Sequence, residues 1–247
     1  GRMSTSVIIN ESSGETVLTK IADALKGADA DDVSYLYINC HGGKASDFGG
    51  EYVLCIGSAY SKADRSGMIK AAQLRDALDA IPGKIVLIVE SCYSGDLIGK
   101  GTSGANFAEG FMKVFVNRPV SKAGELAKEK YYVLTGSSLT QSSMFLPVSD
   151  PEFQESYGIP LMSEIVSRGI GWHWDYTSDE GVGQGDWLAD ADENGQVTLT
   201  ELYDYTWPTV RDRFFAYGYD QGSEYTETGF QHVQVWPENS DFAVFEK

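Results

Sequence analysis

A cysteine and a histidine, two residue types that catalyse acyl transfer, each follow an apolar run typical of a buried β-strand. Cys92 follows the run 85–89 and lies in the segment ESCYSG at 90–95. His41 opens the segment HGG at 41–43, just after a second strand-like run at 33–38. A thiol becomes a nucleophile when a base lies within hydrogen-bond reach. His41 and Cys92 are therefore candidates for a catalytic pair.

A helical segment between the two runs indicates how these residues are positioned. The segment 69–80 carries apolar residues on one helical face, and Pro82-Gly83 ends it. The order strand, helix, strand predicts a parallel crossover, and in open parallel sheets the active crevice lies outside the carboxyl ends of the strands. We therefore predict an α/β fold with a mostly parallel central sheet, flanked by helices, with His41 and Cys92 at one edge.

These motifs resemble those of the caspase-like cysteine peptidases, the group that includes legumains, metacaspases, clostripain and gingipains. His-Gly after one strand and Glu-Ser-Cys-Tyr-Ser-Gly after the next carry the resemblance, and the run 131–138 reads as the following core strand. The resemblance covers about 33–149, and more weakly a calcium-type loop at 190–201 and the closing stretch 231–237. It implies a caspase-like sandwich in one domain over 1–247, from a bacterial member near the legumain and metacaspase branches.

The resemblance also implies that the family's first strand and helix are missing from the N-terminus. The strand-like run 6–9 is similar to the family's second strand. The missing unit would be absent, or supplied by an N-terminal fragment of the protein's own precursor. Caspase-like enzymes are often cut after the nucleophile strand, here within 96–130, where Arg118 and Lys122 offer basic sites. A packed helix over 105–116 is the alternative.

The chemistry expected of the pair is nucleophilic attack on a peptide carbonyl. The Cys92 thiolate would attack the carbonyl carbon, while His41 polarises the nucleophile or protonates the leaving amine. The resemblance assigns the backbone N–H groups of Gly42 and Cys92 as donors to the oxyanion. A glycine at position 42 lets the substrate approach that amide closely.

Glu90 is a candidate for the substrate pocket. It lies two residues before Cys92 in a predicted strand and therefore points to the same face. A buried carboxylate favours a basic partner, which predicts cleavage after Arg or Lys. Legumains carry an acid here within a pocket that selects Asn, which leaves an Asn preference open. A carboxylate that caps a helix or nearby amides is the structural alternative.

Three further residues are predicted to contact substrate. Ser142 and Ser143 follow Gln141 in a segment similar to the substrate-binding segment of legumains. Asp150 could be the second acid of the pocket, or a simple turn residue before Pro151.

A second motif, DADENGQVTLTE at 190–201, matches a calcium-binding loop. It has oxygen side chains at loop positions 1, 3, 5, 9 and 12, glycine at 6 and an apolar residue at 8, which is the EF-hand pattern. The glycine-rich stretch 181–185 is no incoming helix, so we predict a lone structural Ca²⁺ loop; a metal-free acidic turn is the alternative. The predicted ligands are Asp190, Asp192, Asn194, the Gln196 carbonyl, Thr198 directly or through water, and bidentate Glu201.

Composition limits the classes of partner. The 247 residues suffice for one large α/β domain, and a net charge of −17 argues against nucleic acid. No apolar run of about 18 residues is present, so no membrane span is expected. The acidic surface is typical of a secreted, periplasmic or cell-surface protein, or it attracts cationic substrates and calcium. Cys40 and Cys55 are expected to be packed thiols.

Three functional classes follow. The first is a cysteine endopeptidase that cleaves a protein or peptide substrate after Arg or Lys. The second is a legumain-like Asn-specific peptidase or a transpeptidase that passes the acyl group to an amine. The third is a non-catalytic, calcium-stabilised binding module.

Overall fold

The computed structural model describes residues 6, 11–56, 64–99, 130–150, 155–175, 180–183, 185–216 and 231–247. The protein is a mixed α/β structure, as predicted. The α-helices in these ranges are α1 (Gly14–Leu25), α2 (Ala71–Asp79), α3 (Leu161–Gly169) and α4 (Leu199–Ala216). The strands are β1 (Val33–Asn39), β2 (His41–Gly43), β3 (Val53–Cys55), β4 (Met68–Lys70), β5 (Lys84–Glu90), β6 (Tyr131–Thr135), β7 (Phe145–Asp150), β8 (Glu155–Pro160), β9 (Trp172–Asp175), β10 (Glu180–Gly183), β11 (Gln196–Thr198), β12 (Gln234–Trp236) and β13 (Ala243–Glu246).

The central sheet has the order β1-β5-β6-β12. β5 pairs in parallel with β1 and with β6, whereas β12 runs antiparallel to β6. This confirms the prediction of a mostly parallel central sheet. The register pairs Asn39 with Glu90 at the carboxyl ends of β1 and β5, so both strands end at the same level.

Helices cover both faces of this sheet. The apolar side chains of β5 point alternately to the two faces, so each face packs against helices in its own apolar core. Ile85, Leu87 and Val89 pack with α1 and α2 in one core. Val86 and Ile88 belong to the other, together with residues of α3 and α4. A strand buried on both faces reads as a continuous apolar run, which is what the sequence over 85–89 displays.

The crossover helix begins later than the sequence pattern predicts. The expected helix spans 69–80, whereas α2 begins at Ala71. Met68–Lys70 instead forms β4, which pairs with β3 in a small antiparallel sheet of order β2-β3-β4. The side chain of Gln73 accepts a hydrogen bond from the Lys70 N–H at 2.9 Å, and this contact marks the start of the helix.

Two described parts of the region 172–187, residues 172–175 and 180–183, are more regular than its composition suggests. Its glycine, aspartate and tryptophan content predicts a long loop, but β9 and β10 form an antiparallel hairpin there, with Trp172 opposite Gly183. Backbone pairing satisfies the main-chain polar groups without requiring an alternating side-chain pattern. The loop prediction was therefore wrong over these two strands.

Several expectations lie outside the described residues. These are the strand over 7–9, most of the connection 96–130, the helix over 105–116, and the cleavage sites at Arg118 and Lys122. Within the described ranges, no helix is both long and apolar enough to cross a membrane.

Candidate active site and metal site

The structure brings the segments that carry His41 and Cys92 into direct backbone contact. The Cys40 N–H donates to the Glu90 carbonyl at 3.4 Å, which carries the pairing of β1 and β5 one residue past Asn39. β2 then begins at His41. A methyl group built on the Gly42 Cα would lie 1.9 Å from the Cys92 carbonyl oxygen. The two predicted catalytic residues therefore lie on touching segments at one end of the parallel sheet.

The turn that carries Cys92 is held by hydrogen bonds to the segment after β6. Tyr93 has a left-handed backbone with φ of 61°, and its N–H donates to the Gln141 carbonyl at 2.7 Å. The Ser137 hydroxyl donates to the Ser91 carbonyl at 3.0 Å and accepts from the Ser94 N–H at 3.3 Å. These bonds fix the backbone on both sides of Cys92.

Exposure and hydrogen bonding at the turn suit a reactive thiol. Cys92 is half-buried and free, and His41 is exposed. Within the described part of the chain, the Cys92 N–H makes no hydrogen bond. That N–H is one of the two predicted oxyanion donors, and a donor for an oxyanion must be unoccupied before substrate arrives.

The other two cysteines are unsuited to catalysis. Burial raises the pKa of the Cys40 thiol to about 12, and the neighbouring Cys55 and Cys92 thiols act in the same direction. Cys55 is 3% exposed, and burial raises its pKa as well. Since the thiolate is the nucleophile, both groups are held in the unreactive form.

Glu90 is buried, and its carboxylate caps helix α3. Oε1 accepts the Met162 N–H at 2.8 Å, and Oε2 accepts the Ser163 N–H at 2.7 Å and the Ser163 hydroxyl. Burial raises the pKa of Glu90 to about 7, while these hydrogen bonds act in the opposite direction. The capping alternative therefore describes the contacts seen, and the role of Glu90 in substrate binding stays a prediction.

The other predicted substrate residues lie in two parts of the structure: Ser142 and Ser143 precede β7, and Asp150 ends it. The Ser143 hydroxyl lies 3.4 Å from Glu90 Oε1 and is buried, and Ser142 beside it is half-buried. Asp150 ends β7 opposite Glu155, at the far end of a six-residue strand that starts at Phe145. At about 3.4 Å per residue, its Cα lies roughly 17 Å from that of Phe145.

Some contacts that support the site were not predicted from the sequence. The Gln141 side chain contacts the His232 ring nitrogen Nδ1, with Nε2 at 2.8 Å, and its Oε1 accepts the His232 N–H at 3.1 Å. This pair connects the segment after β6 to the residues before β12. Ser137 and Ser163 have equally ordinary sequence contexts, because their partners are distant in the chain.

Asp96, in the short 3₁₀ helix Ser94–Ile98 after Cys92, is a further candidate that the motifs did not indicate. Burial raises the pKa of its carboxyl group. No hydrogen bond or ion pair to this carboxylate occurs among the residues that the structure describes. A half-buried carboxylate without a partner favours a cation.

A cavity of about 440 Å³ adjoins His41 on the side of β1 and α1. Its apolar lining includes Val17, Ile21 and Leu54, and Cys92 does not line it. The cavity therefore borders the histidine segment but does not join the two halves of the catalytic pair.

Three carboxylates of the loop 190–201 converge as a metal site requires. Asp190, Asp192 and Glu201 each offer an oxygen, and these oxygens lie within 4.8 Å of one another. Asp190 Oδ2 accepts the Gly195 N–H at 3.0 Å, whereas Oδ1 is buried and has no hydrogen-bond partner among the described residues. Gly195 has a φ of 85°, a conformation that favours glycine at this sharp turn. The triad could hold a metal ion.

The remaining predicted ligands lie in the same loop as this triad. Asn194 Oδ1 accepts the Gln196 N–H at 2.7 Å, and the Thr198 hydroxyl donates to Glu201 Oε2 at 2.8 Å. Gln196 begins β11, which pairs with β13 at the end of the described chain. Oxygen donors of this kind suit hard cations such as Ca²⁺ or Mg²⁺.

Comparison with known proteins identifies no family. No family model matches the chain, and no curated protein matches it. Among solved structures, the chain is similar to the protein GSU0716 from Geobacter sulfurreducens, with 17% identity and a TM-score of 0.33. That similarity covers 53% of this chain and 55% of the other, so it spans little more than half of either protein.

Proposed function

We propose that the protein is a cysteine endopeptidase of the caspase-like group, with Cys92 as nucleophile and His41 as its acid–base partner. The observation that carries this proposal is the backbone contact between Gly42 and Cys92, where a Cβ would lie 1.9 Å from the carbonyl oxygen. The contact joins a histidine segment and a cysteine segment at the carboxyl ends of adjacent parallel strands. The helices on both faces of the sheet agree with a caspase-like sandwich.

The proposed mechanism uses groups that the site supplies. The Cys92 thiol gives its proton to His41 as the sulfur attacks the scissile carbonyl carbon, and the tetrahedral oxyanion that forms accepts hydrogen bonds from the backbone N–H groups of Cys92 and Gly42. Collapse of this intermediate breaks the C–N bond, and His41 delivers a proton to the leaving amine. Water then attacks the thioester and releases the acid and the free thiol.

A preference for Arg or Lys before the cleaved bond is the second part of the proposal. Both oxygens of Glu90 already accept hydrogen bonds from α3, so a substrate cation would have to share them. Asp96 lies close to Cys92 in sequence and has no partner among the described residues. Its carboxylate is therefore better able than that of Glu90 to bind a substrate cation. The net charge of −17 also favours attraction of cationic substrates.

We also propose that the ion of the acidic loop is Ca²⁺. The loop spacing is that of an EF-hand, and the unpartnered Oδ1 of buried Asp190 provides a ligand atom at loop position 1. A coordinated cation would satisfy this oxygen and offset the repulsion among three close carboxylates. Its role would be structural, because the loop leads directly into α4.

Peptide cleavage by purified variants tests the catalytic assignment. Cys92→Ala should abolish cleavage and the labelling of the reactive thiol by iodoacetamide. His41→Ala should lower turnover by about 10²- to 10⁴-fold, the range typical of a lost general acid or base. Cys40→Ala and Cys55→Ala are the matched controls and should retain turnover. Full activity in Cys92→Ala would contradict the proposal.

Fluorogenic substrates with Arg, Lys or Asn before the bond test specificity within the same experiment. Asp96→Asn should reduce cleavage after Arg and Lys selectively, whereas Glu90→Gln should affect all substrates alike through α3. A selective loss in Glu90→Gln would instead assign the pocket acid to Glu90. Ligation to an added amine would identify a transpeptidase, and no turnover of any peptide would leave a calcium-stabilised binding module.

A further inference from the structure

The metal loop already contacts a cation of the protein itself. Lys247 follows β13, and its Nζ lies 3.7 Å from Asp190 Oδ2. The Lys247 N–H donates to the Gly195 carbonyl at 2.9 Å, and Nζ lies 5.3 Å from the centroid of the Trp187 ring. The backbone bond and the aromatic contact hold the ammonium group beside the loop.

The position of this ammonium group matters because the Asp190 side chain is only 2% exposed, whereas that of Lys247 is 47% exposed. Burial of an unpaired carboxylate is costly, and three carboxylates with oxygens within 4.8 Å of one another repel. Lys247 supplies positive charge to this cluster from its solvent side. The same charge would repel a divalent cation bound at Oδ1.

The distance between the two cations follows from the geometry. An ion on Asp190 Oδ1 would lie about 2.4 Å from that oxygen. Since Nζ lies 3.7 Å from Oδ2 of the same carboxylate, the ion and the ammonium would be separated by at most roughly 8 Å once the spacing of the two carboxylate oxygens is included. At that separation the repulsion is only partly screened by salt, because the Debye length is about 8 Å at physiological ionic strength.

We infer that Lys247 is the resident cation of the loop 190–201 and competes with a divalent ion for Asp190, so that this one side chain lowers the metal affinity while stabilising the metal-free protein. The inference rests on the proposed metal site. It predicts that removal of the Lys247 charge raises the calcium affinity and lowers the stability of the metal-free protein. Removal of a purely structural lysine would lower both the affinity and the stability.

Calcium titration by calorimetry and thermal unfolding of the full chain test this inference. In Lys247→Met, the calcium dissociation constant should fall by about three- to tenfold, and the melting temperature without calcium should fall by about 1–3 °C. Lys247→Arg retains the charge and should resemble the unmodified protein. Lys26→Met is the matched control, because its exposed side chain pairs with Asp23 in α1, and it should change neither quantity.

The two ways of failing are distinguishable. Equal or weaker calcium binding in Lys247→Met, with binding intact in the unmodified protein, would overturn the role of Lys247 alone. Absence of calcium binding in the unmodified protein and in every variant would overturn the proposed metal site and this inference together.

Discussion

At the scale of single residues, the site depends on how closely two backbones can approach. His41 and Cys92 were predictable because each follows an apolar strand in a recognisable motif. The steric role of Gly42 was not, since the sequence suggests only that a glycine admits substrate. In the structure this glycine also admits the carbonyl group of Cys92. The missing side chain thus permits the close contact between the two segments, and the proposed oxyanion donors lie on either side of it.

Substitution of Gly42 should therefore be severe. In Gly42→Ala, the new methyl group would lie 1.9 Å from the Cys92 carbonyl oxygen, so the two segments must separate. We expect peptide turnover to fall by about 100-fold or more and unfolding free energy to fall by about 1–3 kcal/mol, as in other overpacked sites.

The control for this change is Gly27→Ala, where nothing lies within 4 Å of the built methyl group. Steady-state kinetics and denaturant unfolding of both variants provide the measurement. Wild-type turnover in Gly42→Ala would contradict a tight contact between these segments.

At the scale of elements, Glu90 connects the centre of the sheet to helix α3. The sequence predicts β1, β5 and the crossover helix because their apolar periodicity is local. It does not predict that the Glu90 carboxylate binds the Met162 N–H, 72 residues further along the chain. Nor does it predict β3 and β4, because three-residue strands carry too little pattern to recognise. Local periodicity thus yields the long elements, and tertiary contacts determine the short ones.

The buried position of Glu90 predicts a dependence of stability on pH. Its pKa in the folded protein, about 7, lies above the ordinary value of 4.5. Between these values the folded protein retains a proton that the unfolded chain releases, so the free energy of unfolding falls as pH rises from about 4.5 to about 7. The difference corresponds to about 3 kcal/mol, lost progressively across this window.

Denaturant unfolding at several pH values checks this expectation. Glu90→Gln, which cannot ionise, should show a smaller decline between pH 5 and pH 7.5 than the unmodified protein. Glu15→Gln, at an exposed position in α1, is the control and should retain the original slope. Equal slopes in all three proteins would mean that Glu90 is ionised throughout.

At the scale of the whole molecule, the acidic loop 190–201 is connected to the central sheet through β13, the last described strand. β11 of the loop pairs with β13, and the Tyr35 hydroxyl of β1 donates to the Val244 carbonyl at 2.7 Å. The Tyr35 ring also stacks on Phe245 at 5.9 Å between centroids. An ion in the loop would therefore stabilise a unit that extends to the strand preceding His41.

Calcium should accordingly raise the melting temperature of the unmodified protein. A ligand that binds only the folded state, present at about 100 times its dissociation constant, contributes about 2.7 kcal/mol, or roughly 5–10 °C for a chain of this size. Asp190→Asn should remove most of this rise. Asp23→Asn, on the exposed face of α1, should preserve it. A melting curve that is insensitive to both calcium and chelator would contradict a structural ion.

The capping of α3 by Glu90 has an evolutionary consequence. A residue that only contacts substrate can be replaced when a different substrate becomes advantageous, whereas Glu90 holds the first turn of a core helix. Most replacements there would impair folding before any gain in selectivity could be selected. We therefore expect position 90 to stay acidic among relatives of this protein, while the residues proposed here to contact substrate, Asp96, Ser142 and Ser143, vary more freely.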